Sequence, residues 1–438
     1  MAMSPRLGGL LLTAMLCVLP GIVLADTSTP SIPDTPAGRA LAGWLDVFNS
    51  GDRARLASFT KDHIPWRSLD QQMELRARSG GYDLAGIEGS NKLWIVFHAR
   101  EKVSGTRVFG SLVVRQQDPE HITLLDLAPA DSKAAEIVLD EAERNRVVAG
   151  VERLLNQFYV FPDIARKLAA GLEARRKRGD YRDITDGEVF AVRLEDDLRA
   201  LSGDRHFGLD YFPQGSPEKP ASRPQPDPHR LTASNCGFEQ ADHYAPNIGY
   251  LKLDFMAEPD ICATTAIAAM GFLADSDTLI IDLRDNSGGA PRMVALICSY
   301  LFDEPTHLDD IYDHTQGATE QLWTFPYLPG KKLTGKPVYV LTSSRTYSAG
   351  EELSFDLKNL KRATLVGEAT GGGAHPMAPH RIDDHFFIRV PFGRFMNPTT
   401  GADWEGTGVE PDVKVPREDA LDEALRQARG LSRQPPPA

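Results

Sequence analysis

Long apolar runs, basic stretches and cysteines are all scarce in this 438-residue chain. Beyond residue 25 no apolar run approaches the ~20 residues that a membrane-spanning helix needs, so no later span is expected. Lys and Arg number 48 against 61 Asp and Glu, a net charge of −13. An acidic chain without a long Lys/Arg run argues against nucleic acid and anionic membrane surfaces as partners. The one basic cluster, Arg175-Arg176-Lys177-Arg178, reads as a solvated helix end. H-E-x-x-H, P-loop and dinucleotide fingerprints are absent, as is the G-x-S-x-G elbow. No cofactor is therefore expected. His375, His380 and His385 are evenly spaced, but no cysteine or H-x-H pattern supports a zinc site there, and no metal is expected. Composition is ordinary, with 42% apolar and 25% charged residues, which excludes wholesale disorder.

What is present begins with an export signal. Arg6 precedes an uncharged run from Leu7 to Leu24, and Val23 and Ala25 suit cleavage before Asp26. Pro20 and three glycines weaken the run as an uncleaved anchor, and Leu16 is too large to precede a lipidated Cys17. Residues 1–25 are thus expected to be a signal peptide, leaving an exported protein, periplasmic or extracellular, with no stable membrane insertion. Three cysteines remain. Cys298, inside an apolar helix, reads as a buried small hydrophobe. Cys236 and Cys262 flank one segment and can pair in an oxidising compartment, and spacing alone leaves that open.

The chain then divides. Residues 26–130 start with the Thr35-Pro36 helix signal, with Leu41, Trp44, Leu45 and Phe48 on one face. Strand patterns follow at 93–97, 108–114 and 122–125. This is an α+β accessory domain. Its Phe48 to Asp52 break resembles that of SnoaL-like or cystatin-like modules. Residues 134–212 are helical and charged, and stop at Ser202-Gly203-Asp204-Arg205-His206-Phe207-Gly208. Residues 213–234 read as a proline-rich linker or loop. Residues 235–416 show α/β patterning, and 417–438 a final helix and proline-rich tail.

Two strand–turn–helix units stand out in the α/β region. Thr278–Arg284 is a buried strand running into Asn286-Ser287-Gly288-Gly289. Pro337–Leu341 is another, leading to Ser348 and a helix with Leu353, Leu357 and Leu360 on one face. Both turns belong at strand carboxyl ends, where open α/β sheets hold their sites. Ser348 fits a helix N-cap, with acids in the first turn to suit the dipole. It also fits a nucleophile, with the Ala349 N–H and one N–H of Gly288 or Gly289 bracketing an oxyanion. A serine hydroxyl needs a base. Lys358 is ~15 Å down the helix at 1.5 Å per residue, too far to help. His206, in a turn between two glycines, and His375, in a glycine-rich turn, remain. Glu405, beside Trp404, can orient a histidine.

Taken together, SGDRHFG, NIGYLKLDFM, LIIDLRDNSGG, PVYVLTSSRTYSAGEE, KRATLVGEATGGGAHP and NPTTGADWEGTGVEPDV resemble the tail-specific, or C-terminal processing, serine peptidases. The branch with the tricorn core and interphotoreceptor retinoid-binding protein modules is the nearest in pattern. The resemblance implies a crotonase- or ClpP-like ββα core with a helical domain. It further implies Ser348 as nucleophile, His206 as base, Glu405 as supporting acid, Gly288 or Gly289 with Ala349 as oxyanion donors, and His375 in the site wall. The substrate implied is a peptide or protein, and oligomers are compatible with it. Two departures matter. The lysine of the processing branch falls at Gly373, which disfavours a Ser–Lys pair, and the interval from Leu209 to Asn247 is too short for a PDZ domain. The alternative function is a binding module for an apolar ligand on the same scaffold.

Overall fold

The computed structural model describes residues 30–130, 138–215 and 228–431. The expected signal peptide, most of the linker and the proline-rich tail lie outside them. Among the described residues no helix is long and apolar enough to cross a membrane.

The N-terminal unit packs three helices, Pro36–Ser50, Arg53–His63 and Leu69–Ser79, with a four-stranded antiparallel sheet. Its strands are β1 (Tyr82–Ser90), β2 (Trp94–Glu101), β3 (Arg107–Val114) and β4 (Ile122–Pro129). Thr35 caps the first helix, accepting from the Gly38 N–H. Gly51 ends that helix with φ 69°, and Asp52 caps the next. Trp44, Phe48 and Tyr82 form one aromatic group in the core, centroids 5.0 to 5.9 Å apart. Strand alternation then decides how the unit docks. Ile95 and Phe97 face its own helices, whereas Trp94, Val96 and Val113 join the core of the helical domain. β2 and β3 thereby bury apolar side chains on both faces of the accessory sheet.

Helices Glu141–Phe158, Pro162–Arg178 and Gly187–Ser202 make the helical domain. Its basic cluster is less solvated than expected. Arg175 Nε lies 3.1 Å from the buried Asp197 carboxylate, and Arg176 pairs with Glu173. After Gly203 the chain turns into β5 (Gly208–Tyr211). Part of the expected linker is a short helix, Pro228–Ala233.

The α/β core is a six-stranded sheet. β6 (Phe238–Tyr244) is an antiparallel edge on β7 (Ile248–Leu253), and β8 (Thr278–Asp282) follows in parallel. β9 (His307–Asp313) and β10 (Ala318–Trp323) form an outlying hairpin. β11 (Val338–Thr342) and β12 (Thr364–Gly367) continue the main sheet. β13 (Met377–Arg381) pairs with β14 (Phe386–Pro391), which pairs with β5, and β15 (Gly393–Met396) pairs with β9. β16 (Val413–Lys414) closes the parallel edge. Helices Pro259–Leu273, Pro291–Ser299 and Ala349–Asn359 cover one face, and Ala420–Leu431 covers the other. Strands buried on both sides read as continuous apolar runs for this reason. The disulfide Cys236–Cys262 ties the entry to β6 to the first covering helix. Cys298 is buried.

Candidate active site

β11 ends at Thr342, and a tight turn delivers Ser348 to the start of helix Ala349–Asn359. Ser348 has φ 52° and ψ −122°. A non-glycine residue in such a region costs about 1–3 kcal/mol, whereas an ordinary N-cap is extended. The surroundings enforce it. Ser343 Oγ donates to the Arg284 carbonyl at 2.6 Å, Thr346 Oγ1 to that of Leu283 at 2.8 Å, and the Tyr347 N–H to that of Asn286 at 2.9 Å. The Ser348 N–H donates to Glu351 Oε2 at 2.8 Å. Glu351 is fully buried and also accepts from Thr370 Oγ1 and from the N–H groups of Gly372 and Gly373. Burial pushes its carboxyl up, against the pull of these four bonds. It was expected only to complement the helix dipole. Instead it ties the Ser348 turn to the glycine loop. Leu353 and Leu357 are buried as expected, but Leu360 lies past the helix end and is 37% exposed.

The turn after β8 lies directly against Ser348. A Cβ on Gly288 would come within 2.6 Å of Ser348 Cβ, so only glycine permits this approach. Asn286 holds the turn, accepting from the Gly288 N–H at 2.9 Å and donating to the Leu253 carbonyl at 2.7 Å. That bond occupies the Gly288 N–H. The N–H groups of Gly289 and Ala349 have no acceptor among the described residues. Of the two glycine donors weighed, Gly289 is the one left open.

Two histidines and two carboxylates form the other wall. Asp204 Oδ1 accepts from the His206 N–H at 2.9 Å, and Oδ2 lies 2.7 Å from His375 Nδ1. Burial alone would raise the Asp204 carboxyl, but its bonds to His206 and His375 overcome that and hold it well below the usual range. For His375, burial pulls the imidazole down, and the bond to Asp204 with the Asp204 and Glu405 charges outweighs it, for a net rise. Glu405 is pushed up to about 7 by burial and then by the Asp204 charge. Its Oε2 accepts from the Ala374 N–H at 2.6 Å and lies 3.5 Å from His375 Nδ1 and 3.9 Å from His206 Nδ1. His206 Nδ1, 3.7 Å from Asp204 Oδ1, is buried and forms no hydrogen bond.

The His206 ring lies against that of Tyr347, centroids 5.1 Å apart, which sets it beside the residue preceding Ser348. His375 turns its ring edge to Phe161 of the helical domain. Among the described residues no hydrogen bond joins Ser348 to either histidine. Such bonds are often open before substrate arrives. A Cβ on Gly373 would meet Tyr347 Oη at 2.5 Å and His206 Cε1 at 2.6 Å, so no lysine fits at that position. Lys358 reaches Asp412 instead. His380 stacks on Phe158 and His385 bonds to the Phe212 carbonyl, so the three evenly spaced histidines do not converge. Asp204, His206 and Glu405 offer ligand atoms within 4.8 Å of one another, as do Asp309, Glu352 and Asp356. Asp204 was not foreseen, although an acid two residues before a histidine in a tight turn can hold that histidine's own N–H.

Residues 247–415 match peptidase family S41, and residues 129–236 match the N-terminal domain of peptidase S41 in eukaryotic IRBP. The chain belongs to the S41 peptidase family. It is 28% identical over 194 residues to carboxyl-terminal-processing peptidase 1, chloroplastic, of Arabidopsis thaliana, covering 43% of this chain and 38% of that one. Over 255 residues it is 29% identical to the carboxyl-terminal-processing protease of Picosynechococcus, covering 57% and 58%. The chain therefore spans less than two thirds of these relatives. A solved photosystem II D1 C-terminal processing protease aligns over 66% of this chain and 97% of its own, at 15% identity and a TM-score of 0.42.

Proposed function

We propose that this chain is an exported serine-type peptidase that cleaves peptide bonds through an acyl-enzyme. The observation carrying this is Ser348, held in a strained turn with two unused N–H groups nearby and preceded by Tyr347, whose ring packs on an imidazole that has two carboxylates on its Nδ1 side. Ser348 Oγ attacks the substrate carbonyl carbon while His206 Nε2 takes the hydroxyl proton. The tetrahedral oxyanion is held by the N–H groups of Gly289 and Ala349. Asp204 and Glu405, on the Nδ1 side of His206, stabilise the imidazolium. His206 returns the proton to the leaving amine, and the C–N bond breaks. Water, deprotonated by His206, then attacks the ester, releasing the acid and restoring Ser348. Asp204 and His375 act as positioning residues.

The disulfide supports export, since such bonds persist in oxidising compartments. The test is hydrolysis of an unstructured peptide library followed by mass spectrometry. The intact protein should cleave, and Ser348→Ala should not while melting at the same temperature. Equal cleavage by both would contradict the proposal.

A further inference from the structure

The contacts around His206 Nδ1 are too long for hydrogen bonds and close to the spacing of a metal's ligands. His206 is 9% exposed, and this buried nitrogen has no hydrogen-bond partner. Asp204 Oδ1 lies 3.7 Å from it and Glu405 Oε2 3.9 Å. Two ligands of one tetrahedral zinc, each bonded at about 2.0–2.1 Å, sit about 3.3 Å apart, so a contraction of roughly half an ångström closes the set. The three side chains offer ligand atoms within 4.8 Å of one another. Each carboxylate is already oriented by other bonds. Asp204 Oδ2 lies 2.7 Å from His375 Nδ1 and its Oδ1 accepts from the His206 N–H, while Glu405 Oε2 accepts from the Ala374 N–H. Outer partners of this kind hold metal ligands in place. Glu405 Oε1 is also buried and unpartnered. Two carboxylate charges and a neutral imidazole match a divalent ion. Nitrogen with carboxylate oxygen is a zinc donor set, unlike the all-oxygen sets of magnesium and calcium. Glu405, whose side chain is 15% exposed, gives the ion its way in.

Resting on the peptidase reading, we infer that Asp204, His206 and Glu405 form a regulatory site for a zinc ion that switches the catalytic base off. A ring nitrogen ligates a metal through its lone pair. With Nδ1 bound to zinc, the neutral ring's single proton moves to Nε2, and that nitrogen can no longer accept the Ser348 proton. No net proton is released and no bond to Ser348 is made. Water fills the fourth position of the ion. Zinc therefore acts on kcat and leaves peptide binding intact. It is an inhibitor removable by a chelator, not a cofactor of the reaction.

Zinc binding is measured by equilibrium dialysis on the Ser348→Ala full chain, which needs no activity. One zinc per chain is expected, undiminished by excess magnesium, and Glu405→Gln should weaken it by about 10-fold or more. Asp309→Asn, in the other acidic group, should leave it unchanged. X-ray absorption of the zinc-loaded chain should show one imidazole and otherwise oxygen ligands, a readout that holds even where Glu405→Gln does not fold. With the Ser348 protein, saturating zinc should lower kcat by roughly 10²-fold or more with KM unchanged, and EDTA should restore it. Peptide affinity of Ser348→Ala, read by fluorescence anisotropy, should be the same with and without zinc. No bound zinc, a sulfur ligand, or loss of binding in Asp309→Asn rather than Glu405→Gln overturns the inference. So does zinc that displaces the peptide. One zinc at these ligands in a protein that hydrolyses nothing would keep the metal site and sink the peptidase reading.

Discussion

At the scale of single residues, the chemistry rests on groups whose neighbours leave them little freedom. Ser348 is held at positive φ, its N–H fixed by the Glu351 carboxylate. His206→Ala should lower kcat/KM by roughly 10²–10⁴-fold, the usual worth of a general base, in a progress-curve assay. Gly373 gives a sharper test of geometry. Its Cβ would land on Tyr347 and His206, so Gly373→Ala should cost at least about 10-fold in kcat by displacing the base. Binding of peptide to the same variant should change less. Some of this was legible in the letters. Ser348, His206 and Glu405 stood in recognisable surroundings, and the three do converge on one region. Asp204 and Glu351 were not legible, since an acid in a turn or a first helical turn usually faces water. Only the fold buries them.

At the scale of elements, helix Ala349–Asn359 buries acidic side chains on more than one side. Glu351 gathers four hydrogen bonds from the Ser348 turn and the glycine loop. Glu351→Ala should destabilise the protein by about 3 kcal/mol or more in urea denaturation, because four buried or half-buried donors lose their acceptor. Glu352 and Asp356, one turn apart, are buried with Asp309 of β9 in a cluster with no basic partner among the described residues. Burial raises Asp309 to about 7, and burial with the neighbouring acids raises the other two well above the carboxylate range. A folded value above the unfolded one means that Asp309's contribution is full below about pH 4 and is lost as pH rises through about 7. Asp309→Asn should therefore gain Tm relative to the parent as pH increases from 5 to 8, as measured by differential scanning calorimetry. A constant difference across that range would contradict the assignment.

Strand signals show how far element reading extends. Val338–Thr342 and Thr278–Asp282 were plain as apolar runs because helices cover both faces of their sheet. β1, Tyr82–Ser90, was missed, since it includes two glycines and buries little beyond Tyr82. Arg175 was read as solvated, and its partner Asp197 comes from a different helix that sequence spacing does not bring near.

At the scale of the whole molecule, the parts share cores. Trp94, Val96 and Val113 of the accessory sheet pack among the residues of the helical domain, and β5 of that domain pairs with β14 of the peptidase region. Removing residues 26–130 should therefore expose an apolar face and lower Tm by several degrees, with dye binding reporting the exposed surface. The site is likewise divided, with His206 and Asp204 from the helical domain, Ser348 and Glu351 from the α/β core, and the glycine loop between them. Ordered motifs spread along the chain suggested this arrangement, whereas the second buried face of β2 and β3 depends on which strand face turns outward and was not legible.

The central claim is that Ser348 is a nucleophile activated by His206. Its most direct test is intact and peptide mass spectrometry after incubation with a fluorophosphonate probe. The account predicts one adduct, on Ser348, strongly diminished in folded His206→Ala. Folded protein that gains no adduct, or labels equally without His206, would contradict it.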